Sequence, residues 1–151
     1  MARHICFEQR QLARYSQGGY GPLKAVLADY LRASRMMSCS PRQIVIVNGS
    51  HQAIDLCARM LCDEKDRVWM EDPGYWGASN VLRANGLEIE PIAVDEQGIS
   101  LPADPESPPR LIFVSPSSQY PTGVVTSLSR RIKLLELAEA HNAWVIEDDY
   151  D

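Results

Sequence analysis

The chain ends in a group of acids that follows an apolar segment. Residues 143–147 have the pattern of a β-strand, and Asp148, Asp149 and Tyr150 come directly after it. Open α/β sheets place their ligand chemistry at the carboxyl ends of such strands. The acids could form only a solvated turn, or they could bind a cation such as Mg²⁺. Because the sequence has no phosphate loop of the Gly-Lys-Ser/Thr type, magnesium-dependent phosphate chemistry is the weaker alternative.

A second candidate site is a loop at the start of a predicted helix. Asn48, Gly49, Ser50 and His51 follow a β-branched segment, and a helical pattern begins at once. The amides and the dipole at a helix N-terminus attract anions, and a glycine lets the backbone approach a phosphate closely. Alternatively, Asn48 or Ser50 only caps the helix. These residues alone leave both interpretations open.

Two further loops carry aromatic and polar side chains after predicted strands. Tyr75 and Trp76 follow a Glu-Asp-Pro-Gly turn, where either ring could stack on a planar ligand or could simply cover the sheet. Two prolines and a glycine shape residues 115–123, where Gln119 and Tyr120 offer polar groups. A phosphate anchor, a stacking aromatic, a polar loop and an acid together suit pyridoxal phosphate.

Alternating strand and helix patterns must position these loops. The predicted strands are residues 42–47, 67–71, 87–94, 111–114 and 143–147. The predicted helices are residues 21–37, an amphipathic segment marked by apolar residues from 53 to 61, residues 75–85 and residues 127–141. The apolar side of the last helix is predicted to be Leu128, Ile132, Leu135 and Leu137. This alternation implies a mostly parallel sheet with helices on both faces, a partial three-layer α/β sandwich.

Length and composition narrow the classes of protein that fit. With 151 residues, 45% hydrophobic and 23% charged, the chain is expected to be one globular domain. The net charge of −5 argues against DNA binding by this segment, because phosphate contacts need clustered Lys and Arg. Without a membrane-length apolar run or a signal-peptide pattern, a cytoplasmic location is expected. Cys57 and Cys62 are expected to be buried thiols.

The four motifs together resemble the fold-type I aminotransferase domain. They are Asn-Gly-Ser-His-Gln-Ala-Ile-Asp-Leu from position 48, Glu-Asp-Pro-Gly-Tyr from 71, Ser-Gln-Tyr-Pro-Thr-Gly from 118 and Ile-Glu-Asp-Asp-Tyr-Asp from 146. More narrowly, they resemble the version of this domain in MocR-type regulators of the GntR superfamily. The likeness begins near Tyr15. Residues 1–151 are therefore expected to be an incomplete large domain, with a linker over residues 1–14.

The resemblance implies where the cofactor phosphate and ring would lie. Gly49, Ser50 and His51 match the loop whose amides hold the phosphate of pyridoxal 5′-phosphate. Tyr75 matches the aromatic residue that stacks on the pyridine ring. These four residues are expected to be cofactor-binding.

The resemblance also implies how the two ends of the ring would be bound. Asp148 matches the aspartate that faces the pyridine nitrogen, and Tyr150 matches the tyrosine near the phenolic oxygen. Tyr120 stands where many aminotransferases have an asparagine that bonds this oxygen. Regulators of this type often carry an aromatic residue there, so Tyr120 favours the regulator subgroup over efficient transamination.

Several groups of the resembling family are expected outside this chain. In this fold the lysine that holds the cofactor covalently lies a few tens of residues after the aspartate strand. Lys24, Lys65 and Lys133 instead have the patterns of helix faces and an exposed turn. The small domain with its carboxylate-binding arginine and any winged-helix domain are also expected elsewhere. We assign no catalytic or metal-binding residue, and we expect the 151-residue chain to be marginally stable and catalytically inactive.

Three functions remain open at this point. The first is the cofactor- or amino-compound-sensing part of a MocR-type regulator, with DNA contacted only through another domain and a homodimeric parent protein. The second is part of a true aminotransferase that transfers an amino group between an amino acid and a 2-oxo acid. The third is a non-catalytic binding module or a truncated remnant. The tyrosine at position 120 favours the first.

Overall fold

The computed structural model describes residues 18–103, 105 and 107–150. These residues fall into two compact units that divide between Ser50 and His51. The linker predicted over residues 1–14 lies outside the described residues, as does Asp151.

The first unit contains the helix that the apolar spacing predicts. This helix, α1 (Gly21–Arg35), has a proline in its first turn, where the missing amide hydrogen is not needed. It ends at Met36, which adopts the left-handed conformation with a φ of 53°. Of its residues only Ala28 is fully buried, and the side chains of Val26 and Tyr30 are exposed.

The strand predicted over residues 42–47 is wrong. Pro41–Gln43 is a single 3₁₀ turn, and residues 44–47 have no regular secondary structure. The amide of Ile46 donates to the carbonyl of Gly18 at 2.9 Å. A β-branched segment favours extended backbone, but a strand also needs a neighbouring strand as a partner. Residues 18–50 contain no strand that could supply one.

A five-stranded sheet organises the second unit. The strands are β1 (Arg67–Asp72), β2 (Glu88–Asp95), β3 (Gly98–Ile99), β4 (Leu111–Val114) and β5 (Trp144–Glu147). Their order is β3-β2-β1-β4-β5, and every neighbouring pair is parallel except β2 with β3. Four of these strands were predicted. The two-residue β3 is too short to give a sequence pattern.

Three helices accompany the sheet. In chain order, α2 (Ser50–Leu61) precedes β1, α3 (Trp76–Ala84) connects β1 to β2, and α4 (Leu128–Ala140) connects β4 to β5. Asn85 is the C-cap of α3, and Gly86 follows it with a φ of 76°. The hydroxyl of Ser127 caps α4 by accepting from the amide of Arg130 at 3.3 Å.

Alternate residues of the strands face opposite layers of helices. Val68 and Met70 of β1 lie in a buried cluster with Leu82 of α3 and with residues of α2. Trp69, between them in the sequence, lies in a second buried cluster with Leu134 of α4. The predicted three-layer arrangement with a mostly parallel sheet is therefore confirmed.

The apolar side predicted for α4 is wrong at three of its four residues. Leu134 and Ala138 are the buried residues of this helix, and Leu137, which was predicted, packs partly against the same cluster. The other three predicted residues, Leu128, Ile132 and Leu135, are exposed. The helix carries two apolar stripes, and periodicity alone does not decide which one contacts the sheet.

Two smaller expectations concern the thiols and the membrane. Cys57 and Cys62 are free thiols as expected, although both are half-buried rather than fully buried. Burial raises the pKa of both thiols. Among the described helices, none combines the length and the apolar character needed to cross a lipid bilayer.

Candidate functional site

Three of the predicted loops lie at one edge of the sheet. β1, β4 and β5 are parallel neighbours, so their carboxyl ends meet there. The loops that follow them are residues 73–75, 115–127 and 148–150. This edge is where open α/β sheets bind ligands.

Tyr75 is held at this edge by a residue at the start of α2 and by a residue of the loop after β4. It is the N-cap of α3 and is half-buried. Its hydroxyl lies 2.9 Å from Nε2 of His51, within hydrogen-bond distance. Its ring meets the ring of Tyr120 edge to face, with centroids 6.0 Å apart and an interplanar angle of 79°. The structure therefore brings together three residues that the sequence placed in three separate motifs.

Glu71, the second-last residue of β1, carries a buried carboxyl. Only 5% of its surface is exposed. Its Oε2 accepts from the amide of Ser115 at 3.1 Å, and Oε1 has no hydrogen-bond partner among the described residues. Burial raises the pKa of Glu71, and the hydrogen bonds from Ser115 and Gln119 oppose this shift only in part.

Gln119 joins the two loops that carry the tyrosines. Its Nε2 donates to the carbonyl of Pro73 at 2.7 Å and to that of Tyr120 at 2.6 Å. Its Oε1 accepts from the hydroxyl of Thr122 at 2.5 Å. With both amide hydrogens used in this way, the 3.4 Å approach of Nε2 to Glu71 is weak.

The expectation that Gln119 offers a polar group to a ligand is therefore wrong. The side chain is fully buried, and both hydrogens of its amide are donated to backbone carbonyls. Its neighbour Tyr120 is 41% exposed and remains available at the edge of the site. Adjacent residues of one loop thus have opposite roles.

Asp148 is the acid nearest to the end of β5. It is half-buried, and its amide donates to the carbonyl of Val114 at 2.8 Å, which extends the β4–β5 pairing by one residue. Burial, together with the neighbouring charge of Asp149, raises the pKa of Asp148. A cationic group near this carboxylate would lower that pKa again.

Tyr150 contacts the loop after β4. Its hydroxyl donates to the carbonyl of Ser118 at 2.7 Å and lies 3.2 Å from the hydroxyl of the same residue. The ring is exposed. Tyr150 therefore connects the loop after β5 with the loop that also contains Tyr120.

The predicted phosphate loop opens α2. Ser50 is the first residue of the helix, and His51 is the second. Gly49 has a φ of 134°, a conformation that favours glycine, and a Cβ built there would meet no atom within 4 Å.

Two residues at the site were not singled out by sequence reasoning. Glu71 was noted only as part of a turn motif, although a carboxylate that directly follows an apolar strand segment is a signal of a buried role. Gly77, in the first turn of α3, carried no signal because a glycine near a helix start is common. Lys24, Lys65 and Lys133 lie on α1, in a turn and on α4, as predicted. Nowhere in the described residues are three or more His, Cys, Asp or Glu side chains grouped to hold a metal ion.

The family model for aminotransferase class I and II matches residues 3–150. The chain belongs to this family. The predicted likeness to fold-type I aminotransferases is thereby confirmed.

Relatives of this aminotransferase-like chain include both regulators and enzymes. It is 45% identical over 152 residues to the probable rhizopine catabolism regulatory protein MocR of Rhizobium meliloti, covering 100% of this chain and 31% of that protein. It is 36% identical over 129 residues to the uncharacterized HTH-type transcriptional regulator YdeL of Bacillus subtilis, covering 85% of this chain and 28% of that protein. The chain thus spans about a third of the length of these relatives.

A solved enzyme structure has the same fold. The α-aminoadipate aminotransferase LysN of Thermus thermophilus is similar with a TM-score of 0.83 and 32% identity, over 98% of this chain and 38% of that one. That structure contains N-(5′-phosphopyridoxyl)-L-leucine.

Proposed function

We propose that this chain is the pyridoxal-phosphate-binding part of the effector domain of a MocR-type transcriptional regulator. The observation that carries the proposal is Tyr120, which lies edge-on against Tyr75 where many aminotransferases have an asparagine. A pair of aromatic side chains at this place can hold the planar cofactor ring. It lacks the asparagine that bonds the phenolic oxygen in many aminotransferases. The 45% identity to a regulatory protein over the whole chain supports the same assignment.

The donor set at the sheet edge fits the ring of this cofactor. Tyr75 offers a ring for stacking, and Asp148 offers a carboxylate to the pyridine nitrogen. Tyr150 would lie near the phenolic oxygen. When bound, the cofactor supplies an electron sink for an amino compound, and an ionised Asp148 keeps the pyridine nitrogen protonated.

The start of α2 fits the phosphate. Backbone amides and the positive end of the helix dipole bind anions, and in this proposal Gly49, Ser50 and His51 supply those amides. Gly49 has a φ of 134°, a conformation that favours glycine at this loop.

The remaining parts of the proposal concern the parent protein. Its ligand is the cofactor or a small amino compound, and DNA is contacted only through a separate helix-turn-helix domain. The similarity to a relative described as an HTH-type regulator supports the assignment of DNA binding and ligand binding to different domains. A homodimeric parent that acts in the cytoplasm, where bacterial DNA lies, completes the proposal.

The cofactor site is tested with pyridoxamine 5′-phosphate, which has no aldehyde and so cannot react with surface lysines. We expect saturable binding by the chain in a fluorescence titration. Asp148→Asn should weaken it about tenfold, because a charge-assisted hydrogen bond to the pyridine nitrogen is lost. The matched variant Asp149→Asn should bind nearly as well as the natural chain. No saturable binding, or equal losses in both variants, would contradict the proposal.

A true aminotransferase is the second candidate. The similarity to the α-aminoadipate enzyme supports it. The genomic reading frame around this segment separates the two. A helix-turn-helix segment encoded upstream supports the regulator, whereas a cofactor-binding lysine downstream without such a segment supports the enzyme.

A further inference from the structure

Gly77 occupies a position where any side chain would displace Tyr75 and His51. It is buried in the first turn of α3. A Cβ at Gly77 would lie 2.4 Å from Cζ and 2.5 Å from the hydroxyl oxygen of Tyr75, and 2.5 Å from Nε2 of His51. These are the three nearest atoms, and all belong to the ends of two side chains. An alanine there would therefore push the phenol and the imidazole aside rather than strain the backbone.

Helix formation does not explain a glycine at this place. In a helix, glycine is less stable than alanine by about 0.5–1 kcal/mol. Gly77 has no positive φ that would require glycine. The missing side chain instead leaves the space in which the hydroxyl of Tyr75 meets Nε2 of His51 at 2.9 Å.

The side chain of His51 is directed to Tyr75. The rings of His51 and Tyr75 are tilted by 31°, with centroids 6.0 Å apart. The ring of Tyr75 also meets the ring of Tyr120 edge to face. The phenol is thus fixed at its hydroxyl by a hydrogen bond and at its ring by an aromatic contact, and both restrict rotation of the ring.

We propose that Gly77 and His51 are positioning residues that set the plane of Tyr75 for stacking on the ligand. Gly77 acts by leaving space, and His51 acts by its hydrogen bond to the phenol. This inference rests on the proposed function, because it assigns the stacking role to Tyr75. It goes beyond the proposed function by giving His51 two separate roles. The backbone amide would face the phosphate, and the imidazole would hold Tyr75.

The test compares Gly77→Ala with Gly21→Ala in the 151-residue chain. Gly21 lies in the first turn of α1, has no positive φ, and has no atom within 4 Å of its Cβ position, so it is a matched control. In the ligand-free protein we expect Gly77→Ala to shift the ¹⁵N resonance of His51 Nε2 without lowering the melting temperature. We expect its affinity for pyridoxamine 5′-phosphate to fall about tenfold, the size of one lost ordering contact. Gly21→Ala should change neither the His51 resonance nor the affinity for pyridoxamine 5′-phosphate.

A second pair of variants tests the hydrogen bond itself. His51→Gln keeps a polar group near the phenol and should retain more affinity for pyridoxamine 5′-phosphate than His51→Ala. If Gly77→Ala shifts the His51 resonance but leaves the affinity for pyridoxamine 5′-phosphate unchanged, Gly77 has no role in ligand binding. If the resonance does not shift, the side chain of residue 77 does not displace His51 and Tyr75. If the natural chain does not bind pyridoxamine 5′-phosphate at all, the proposed function falls and the binding role falls with it. The resonance shift would then still show whether Gly77 positions Tyr75.

Discussion

The carboxyl of Glu71 shows how burial changes the role of a residue. In the sequence it is one acid of a turn motif, yet in the structure it is a buried residue of β1 with one oxygen unpartnered among the described residues. Its raised pKa means that the folded protein binds a proton at Glu71 more tightly than the unfolded chain does. Folding and protonation of this group therefore support each other.

We expect Glu71→Gln to remove a pH dependence of stability. Protonated Glu71 stabilises the fold fully below the ordinary pKa of 4.5, and this contribution is lost as the pH rises through the higher pKa of the folded state. From pH 4.5 towards neutrality, the melting temperature of the natural chain should fall relative to that of the Gln variant. Glu88→Gln, at an exposed position of β2, serves as the control. Parallel pH profiles for the natural chain and Glu71→Gln would contradict this expectation.

Gln119 and Tyr120 show what a loop sequence cannot reveal. Both are residues with polar groups between the same two prolines, and their types do not show which of the two side chains is buried. The structure buries Gln119 because its amide can reach carbonyls of two loops at once. Such bridging depends on the distance between segments that are 46 residues apart in the chain.

At the scale of elements, α4 illustrates the limit of periodicity. Leu134, Leu137 and Ala138 form one stripe at helical spacing, and Leu128, Ile132 and Leu135 form another. The helix was predictable from either stripe. The choice of the buried stripe depends on the position of the sheet, which the helix sequence does not encode by itself.

We expect Leu134→Ala to lower the free energy of unfolding much more than Leu135→Ala does. Leu134 is 4% exposed in the core under the sheet, and its truncation should cost about 2–5 kcal/mol of the free energy of unfolding. Leu135 is 61% exposed, and alanine is an equally good helix former, so its truncation should cost little. Urea unfolding measures both. A larger loss for Leu135→Ala would show that the other stripe is the buried one.

The strand predicted over residues 42–47 failed for a related reason. β1 and β4 also carry apolar, β-branched segments, and each has a parallel partner on both sides in the sheet. Residues 44–47 are also apolar, and all four are β-branched, but no strand lies beside them among residues 18–50. Strand propensity thus predicts extended backbone, and pairing decides whether it becomes a strand.

At the scale of the whole chain, charge limits what this segment can bind. The chain has 15 basic and 20 acidic residues, and a DNA-binding surface needs an excess of basic ones. In the proposed regulator, DNA contact therefore belongs to another domain.

We expect the 151-residue chain to cause no mobility shift of DNA at low salt. Its net charge of −5 repels the phosphate backbone, so that lowering the salt concentration should not produce binding. Electrophoresis with the chain at concentrations that saturate pyridoxamine 5′-phosphate binding checks this. A complex with DNA whose affinity falls steeply with added salt would contradict the division of roles between domains.

The sequence by itself determined the alternation of strands and helices, the loops that carry the candidate site, and the family. These follow from local signals: apolar periodicity, turn residues and short motifs, all of which act within a few residues along the chain. Only the tertiary structure decided that His51 meets Tyr75, that Gln119 is buried, and which stripe of α4 faces the sheet. The reason is physical. These outcomes depend on distances between segments far apart in sequence, which are set when the strands pair and the helices pack upon them.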